Sequence, residues 1–86
     1  MINPTDHPVG SAMLMYELDD AHEHLGSLIK AISSDPEYSE ESYRVDLGHV
    51  FAHLNRAWRR RLVHEGMTEE EWNAAREYPD DILPIS

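Results

Sequence analysis

The sequence predicts an all-α fold, a long antiparallel helical hairpin followed by a short third helix and an extended C-terminal tail. Three observations carry that expectation. Apolar residues recur at alternating spacings of three and four along two long stretches. All five prolines fall outside those stretches. A further segment opens with Thr68-Glu69-Glu70-Glu71, a capping box with Thr68 at N-cap and Glu71 at N3.

The first helix is expected over about 9–33, beginning between Pro8 and Ser11. Its seam is Leu14, Leu18, Ala21, Leu25, Leu28 and Ile32, widened by Met15 and Ile29. Gly26 lowers helix propensity by roughly 1 kcal/mol relative to Ala, too little to break so long a pattern. Ser34-Asp35-Pro36 separates it from the second helix.

The second helix is expected over about 39–64, capped by Ser39 or Asp35, with Glu40 and Glu41 at its positive end. Its apolar face is Tyr43, Leu47, Val50, Phe51, Leu54, Trp58 and Leu62. Arg59, Arg60 and Arg61 complement the dipole at its C-terminus, and Gly66 is the expected C′ residue. The third helix, about 68–78, carries Trp72, Ala75 and Tyr78 on one face and ends at Pro79. Ile82, Leu83 and Ile85 in the tail are expected to fold back as an apolar strap.

Residues 1–86 make one domain, small enough to be marginally stable alone. A hairpin plus one short helix leaves part of the seam uncovered. Completion of a four-helix-type bundle by homodimerisation is therefore expected. The absence of Cys fits a reducing compartment. The opening MINPTDHPVG lacks the basic and apolar regions of a signal peptide. Apolar runs such as Ala12 to Tyr16 fall far short of the ~20 residues of a membrane span. A cytoplasmic protein without a membrane partner is the expectation.

Net charge is −10, unevenly spread. Residues 1–55 carry ten acids against Lys30 and Arg44, and residues 65–86 carry seven against Arg76. Between them stand Arg56, Arg59, Arg60 and Arg61 with no acid. These four arginines are candidates for binding an anion or an acidic partner. The simpler account is dipole complementation with pairing to Glu65 and Glu69 to Glu71. Nucleic acid is disfavoured, since so acidic a chain gives a poor electrostatic footprint.

Five of the six histidines lie on or just after the two long helices. At about 100° per residue, Glu17 and His24 fall on one boundary of the first apolar stripe, with Asp20 further round. Asp46 and His53 occupy the matching boundary of the second, with His49 further out. In an antiparallel pair these boundaries share one edge. Asp20, His24, His49 and His53 are thus expected to cluster, with Glu17 about one turn away. Imidazoles and carboxylates on facing helices are how bundles hold metal, and this set would take zinc or iron. Beside that stand two other readings: polar boundary residues with no cofactor, and a pH-sensitive interface. The two Asp-x-x-His pairs, at Asp19/His22 and Asp46/His49, face different directions, which weakens a dinuclear site. Trp58 and Trp72 read as packing anchors.

The chain has no Gly-rich phosphate loop, no thiol and no nucleophile elbow, so an enzyme is not expected without a metal. The leading expectation is a small acidic helical protein-interaction module, acting as a homodimer. The alternatives are a metal-binding bundle, and an acidic inhibitor that imitates nucleic acid.

Overall fold

Pro8 opens α1, Pro8–Ser34, where its missing N–H leaves no bond unmade. The structure is a computed structural model that describes residues 1–85. Gly26 does not interrupt α1. The helix closes at Asp35, whose N–H donates to the Ala31 carbonyl at 3.0 Å. The Asp35 carboxylate then accepts from the Glu37 N–H at 2.9 Å, making a tight turn. Ser39 caps α2, Glu40–Arg59, by accepting from the Ser42 N–H at 3.1 Å.

The end of α2 differs from expectation. The chain tightens into a single 3₁₀ turn, Arg60–Leu62, and leaves the helix before His64. No described glycine has positive φ, so Gly66 is not a left-handed cap. The reason lies in what docks there. The Ile2 N–H donates to the Arg61 carbonyl at 2.8 Å, and His7 stacks on His64 at 4.0 Å between ring centroids. Gly10 packs so closely that a Cβ would stand 2.2 Å from the Val63 carbonyl oxygen. The N-terminal segment therefore closes the base of the hairpin against the end of α2.

The capping box forms as expected and starts α3, Glu69–Ala74. Its Glu71 carboxyl lies below the ordinary carboxylate value because it accepts from the Thr68 backbone. α3 stops short of residue 78. The next two N–H groups bond back three residues, Arg76 to Asn73 and Glu77 to Ala74. Arg56 Nε of α2 donates at 3.2 Å to Trp72 O, the carbonyl that the Arg76 N–H would have used in a continued helix, and other α2 side chains hold the carbonyls beyond it. Asn55 donates to Arg76 O at 2.7 Å, and Arg59 donates to Ala75 O at 3.0 Å and to Glu77 O.

The chain is thus all-helical among the described residues, with two long antiparallel helices and a short third. Ile2, Leu14, Ala21, Leu28, Val50, Ala57 and Ala75 are buried. The rest of the expected seam is not. Leu18, Leu25, Ile32, Tyr43, Phe51, Leu54 and Leu62 are exposed, while Glu17, Asn55, Arg56 and Arg60 are buried. Two helices meet along a line narrower than either apolar stripe, so one flank of each stripe needs a third element. α3 lies on the other flank, where it covers polar residues. The tail folds back along the apolar side of α2, where Ile82 and Leu83 stand beside Leu54 and Trp58, although Ile82, Leu83 and Ile85 keep much of their surface exposed. Polar contacts hold it there as well. Trp58 Nε1 donates to Asp81 at 2.8 Å, with Arg61 3.4 Å from the same carboxylate.

The molecule is long and thin for its size, 47 × 31 × 25 Å. Its radius of gyration is 14.7 Å, against about 12 Å for a compact domain of this length. No described helix is long and apolar enough to cross a membrane.

Candidate functional site

The hairpin brings the expected edge residues together. Glu17 of α1 is buried, and its Oε2 lies 2.8 Å from His53 Nδ1 of α2. Its Oε1 accepts from Trp72 Nε1 of α3 at 3.2 Å. One carboxylate therefore ties three helices, and each of its oxygens has the hydrogen-bond partner that a buried acid requires. His24 faces His53 at 5.2 Å between ring centroids and His49 at 5.5 Å. The helix register read from spacing holds for this trio, and Glu17 comes closer than the turn of separation expected for it.

The carboxylates do not gather with the imidazoles. Asp20 is exposed on the outer side of α1. Asp46 accepts from the Tyr38 hydroxyl in the inter-helix turn. Partial burial, then that bond, pushes the Tyr38 pKa up to about 12. Glu17 is already shared between His53 and Trp72. Among the described residues no group of three or more His, Asp or Glu is arranged to hold a metal ion. Of the donor set read from the sequence, three imidazoles are what the edge offers.

The four arginines part company. Arg56 is buried and lies over the Trp72 indole, its Cζ 3.5 Å from the ring centroid, with Nε donating to Trp72 O at 3.2 Å. Burial lowers its pKa, and Glu17 nearby opposes that. Arg59 is spent on the carbonyls at the end of α3. Arg61 lies over Trp58 at 3.8 Å and pairs with Asp81, not with the acids of residues 65–71. Arg60 is buried, with Nε and Nη1 sealed from water and without a hydrogen-bond partner among the described residues. Most of the basic block thus serves to hold α3 and the tail.

Three participants escape a reading of spacing alone. Trp72 reads as a plain packing anchor, yet its indole bridges Glu17 and Arg56. Arg76 stands one turn after Trp72, a spacing that could have placed it on the same face. Tyr38 pairs with Asp46 from a turn, where no periodicity operates.

The opposite edge is apolar. Leu18, Leu25 and Ile29 of α1 and Tyr43, Leu47, Phe51 and Leu54 of α2 share it by helical position. A groove of about 340 Å³ runs between Tyr43, Leu47 and Phe51, with Tyr78 at one end and Glu40 and Arg44 beside it. Gly26 and Gly48 flank this edge, and a Cβ on either would meet nothing within 4 Å.

Compared with known proteins, the chain matches no family model, no curated protein and no solved structure.

Proposed function

We propose that the chain is a helical protein-interaction module that acts as a homodimer through the open apolar edge of the hairpin. The observation that carries this reading is the excess of surface. A compact monomer of this mass exposes about 5,200 Å², whereas the chain exposes 6630 Å². The excess is roughly 1,400 Å² per chain, enough for two copies to bury an interface of the size obligate homodimers use.

Three features favour the apolar edge as the contact. Leu25 is 41% exposed, Ile29 60% and Tyr43 42%, a fraction unusual for seam positions of long helices. No large side chain is fully buried among the described residues, so the single chain lacks a deep core. Gly26 and Gly48 leave room for close approach by another helix at positions where Ala would favour the helix.

The nature of the edge favours a second copy as the occupant. A chain of net charge −10 repels itself unless the contact face is free of acids. The sector of α1 holding Leu18, Leu25 and Ile29 has none. On α2 the edge offers one acid and one base, Glu40 and Arg44, which a two-fold contact can set against each other. Asp19, Asp20 and Glu23 are exposed on the outer face of α1, which this arrangement leaves in water.

Light scattering coupled to size exclusion tests the reading. The expected result is twice the chain mass at micromolar concentration. A single-chain mass that persists up to millimolar concentration contradicts it.

A further inference from the structure

On the edge opposite the proposed dimer contact, α1, α2 and the end of α3 border a half-open cavity of about 340 Å³. His24, His49, His53, Arg56, Trp72 and Arg76 line it, and no acid does. The placement is unusual for this chain, which carries seven Lys and Arg against seventeen Asp and Glu. Two of those cations stand together here, close enough that Arg76 disfavours the charge on Arg56. Among the described residues neither guanidinium lies within ion-pair distance of a carboxylate. The nearest acid, Glu17, is committed to His53 and Trp72.

One of the two cations is also held in place. Arg56 is fixed by the Trp72 ring and by its Nε bond to Trp72 O. Its two Nη groups make no hydrogen bond to the protein among the described residues and are not sealed from water. They remain available as a fork of donors, the geometry that matches an oxyanion. His53 is oriented by the Glu17 carboxylate at Nδ1, which leaves Nε2 free of that bond. Glu17 is the one carboxylate near the two guanidiniums and is already bonded to His53 and Trp72, so a bound anion would add a counter-charge the pair otherwise shares with two other groups.

We propose that this cavity binds a phosphate group carried by a small molecule. Arg56 and Arg76 supply the forked donors, and His24, His49 and His53 supply ring nitrogens around them. A phosphate fills only part of the volume, so an organic group attached to it fits alongside Trp72 and the His24–His53 pair. The site uses one arginine of the basic block together with the histidine edge, two features that the sequence presents separately.

The test is calorimetric titration of the full chain at constant ionic strength with inorganic phosphate, phenyl phosphate and acetate, read together with the imidazole resonances. Saturable one-to-one binding of phosphate is expected, shifting His24, His49 and His53. Arg76→Gln should weaken it at least about tenfold, the loss of one charge-assisted contact. The circular dichroism of that variant should match the parent, since the Arg76 side chain is exposed and makes no hydrogen bond. Lys30→Gln, which removes an exposed cation of α1 that lies in neither the cavity nor the proposed contact, should leave the affinity unchanged. Tighter binding of phenyl phosphate than of inorganic phosphate assigns the remaining volume to the organic group. Equal affinity for the two assigns the site to free phosphate. Absence of saturable binding, or equal loss in Arg76→Gln and Lys30→Gln, overturns the proposal. So does stoichiometric zinc binding by the three histidines with no response to phosphate.

Discussion

Along one edge of the hairpin, Glu17, His53 and Arg56 lie beneath Trp72 of α3. Along the other, Leu18, Leu25, Ile29 and Tyr43 remain exposed. The third helix covers the polar edge, whereas the apolar edge has only the tail, whose Ile82 reaches Leu18 and Leu54 and leaves Leu25, Ile29 and Tyr43 open. Simple burial would have sent the third helix the other way. The difference shows what each kind of surface requires. A buried carboxylate and a buried guanidinium need partners at fixed distances and angles, and a short helix of the same chain supplies them reliably. An apolar edge needs only a complementary apolar surface, which can come from another molecule.

That contrast can be broken at either edge. The largest effect is expected from Leu25→Asp with Ile29→Asp, which places two acids in the proposed interface. A two-fold contact counts each change twice, so the dimer dissociation constant should rise at least about a hundredfold by sedimentation equilibrium. The base of the hairpin, shared by both edges, is next. Gly10→Ala forces a Cβ into the Val63 and His64 carbonyls and should cost about 1–3 kcal/mol in chemical denaturation. Glu17→Ala attacks the covered edge alone. It leaves Trp72 Nε1 and His53 Nδ1 without their acceptor and should cost about 1–3 kcal/mol. Glu17→Gln, which keeps an acceptor for Trp72, should cost less. Gly26→Ala sharpens the contrast on the open edge. In a background made monomeric it should add about 0.5–1 kcal/mol of stability, since nothing obstructs the new methyl.

The smallest effect concerns the tail, which lies along the Leu54 and Trp58 side of α2. The hydrogen bond from Trp58 holds the Asp81 carboxyl below the ordinary carboxylate value of 3.8, with a further pull from Arg61. A depressed value in the folded chain means the contact contributes at neutral pH. It is lost as pH falls through the folded value, below the ordinary one. The Trp58 indole N–H resonance should therefore hold steady down to about pH 4 and move below it. Asp81→Asn should shift that resonance at neutral pH while leaving the melting temperature close to the parent value.

Much of the fold was legible because helices advertise themselves locally. The Ser39 cap, the Thr68–Glu71 box and the three-four spacing each act within a turn or two. The antiparallel register was legible as well, since a short turn between long helices leaves little freedom, and it brought His24 to His49 and His53. The burial pattern was less so. Periodicity marks an apolar stripe but not which flank a third element will cover. Leu18 and Leu25 have seam spacing and stand exposed, while Arg56, which lies off the apolar face, is buried. The ends of α2 and α3 were set by partners distant in sequence, Ile2 and Gly10 at one and Asn55 and Arg59 at the other. The candidate site was legible in its histidines. Trp72 and Arg76 complete it from α3 and the turn just after it, and their reach across the hairpin depends on where that segment docks.

The most direct measurement is isotope-filtered NMR on a mixture of labelled and unlabelled chains, which reports contacts between copies alone. Contacts between copies among the side chains of Leu25, Ile29, Tyr43 and Leu54 are predicted, with His24 and Trp72 silent. Inter-chain contacts centred on His24 and Trp72, or none at concentrations where the chain is fully associated by mass, would contradict the assignment of the apolar edge.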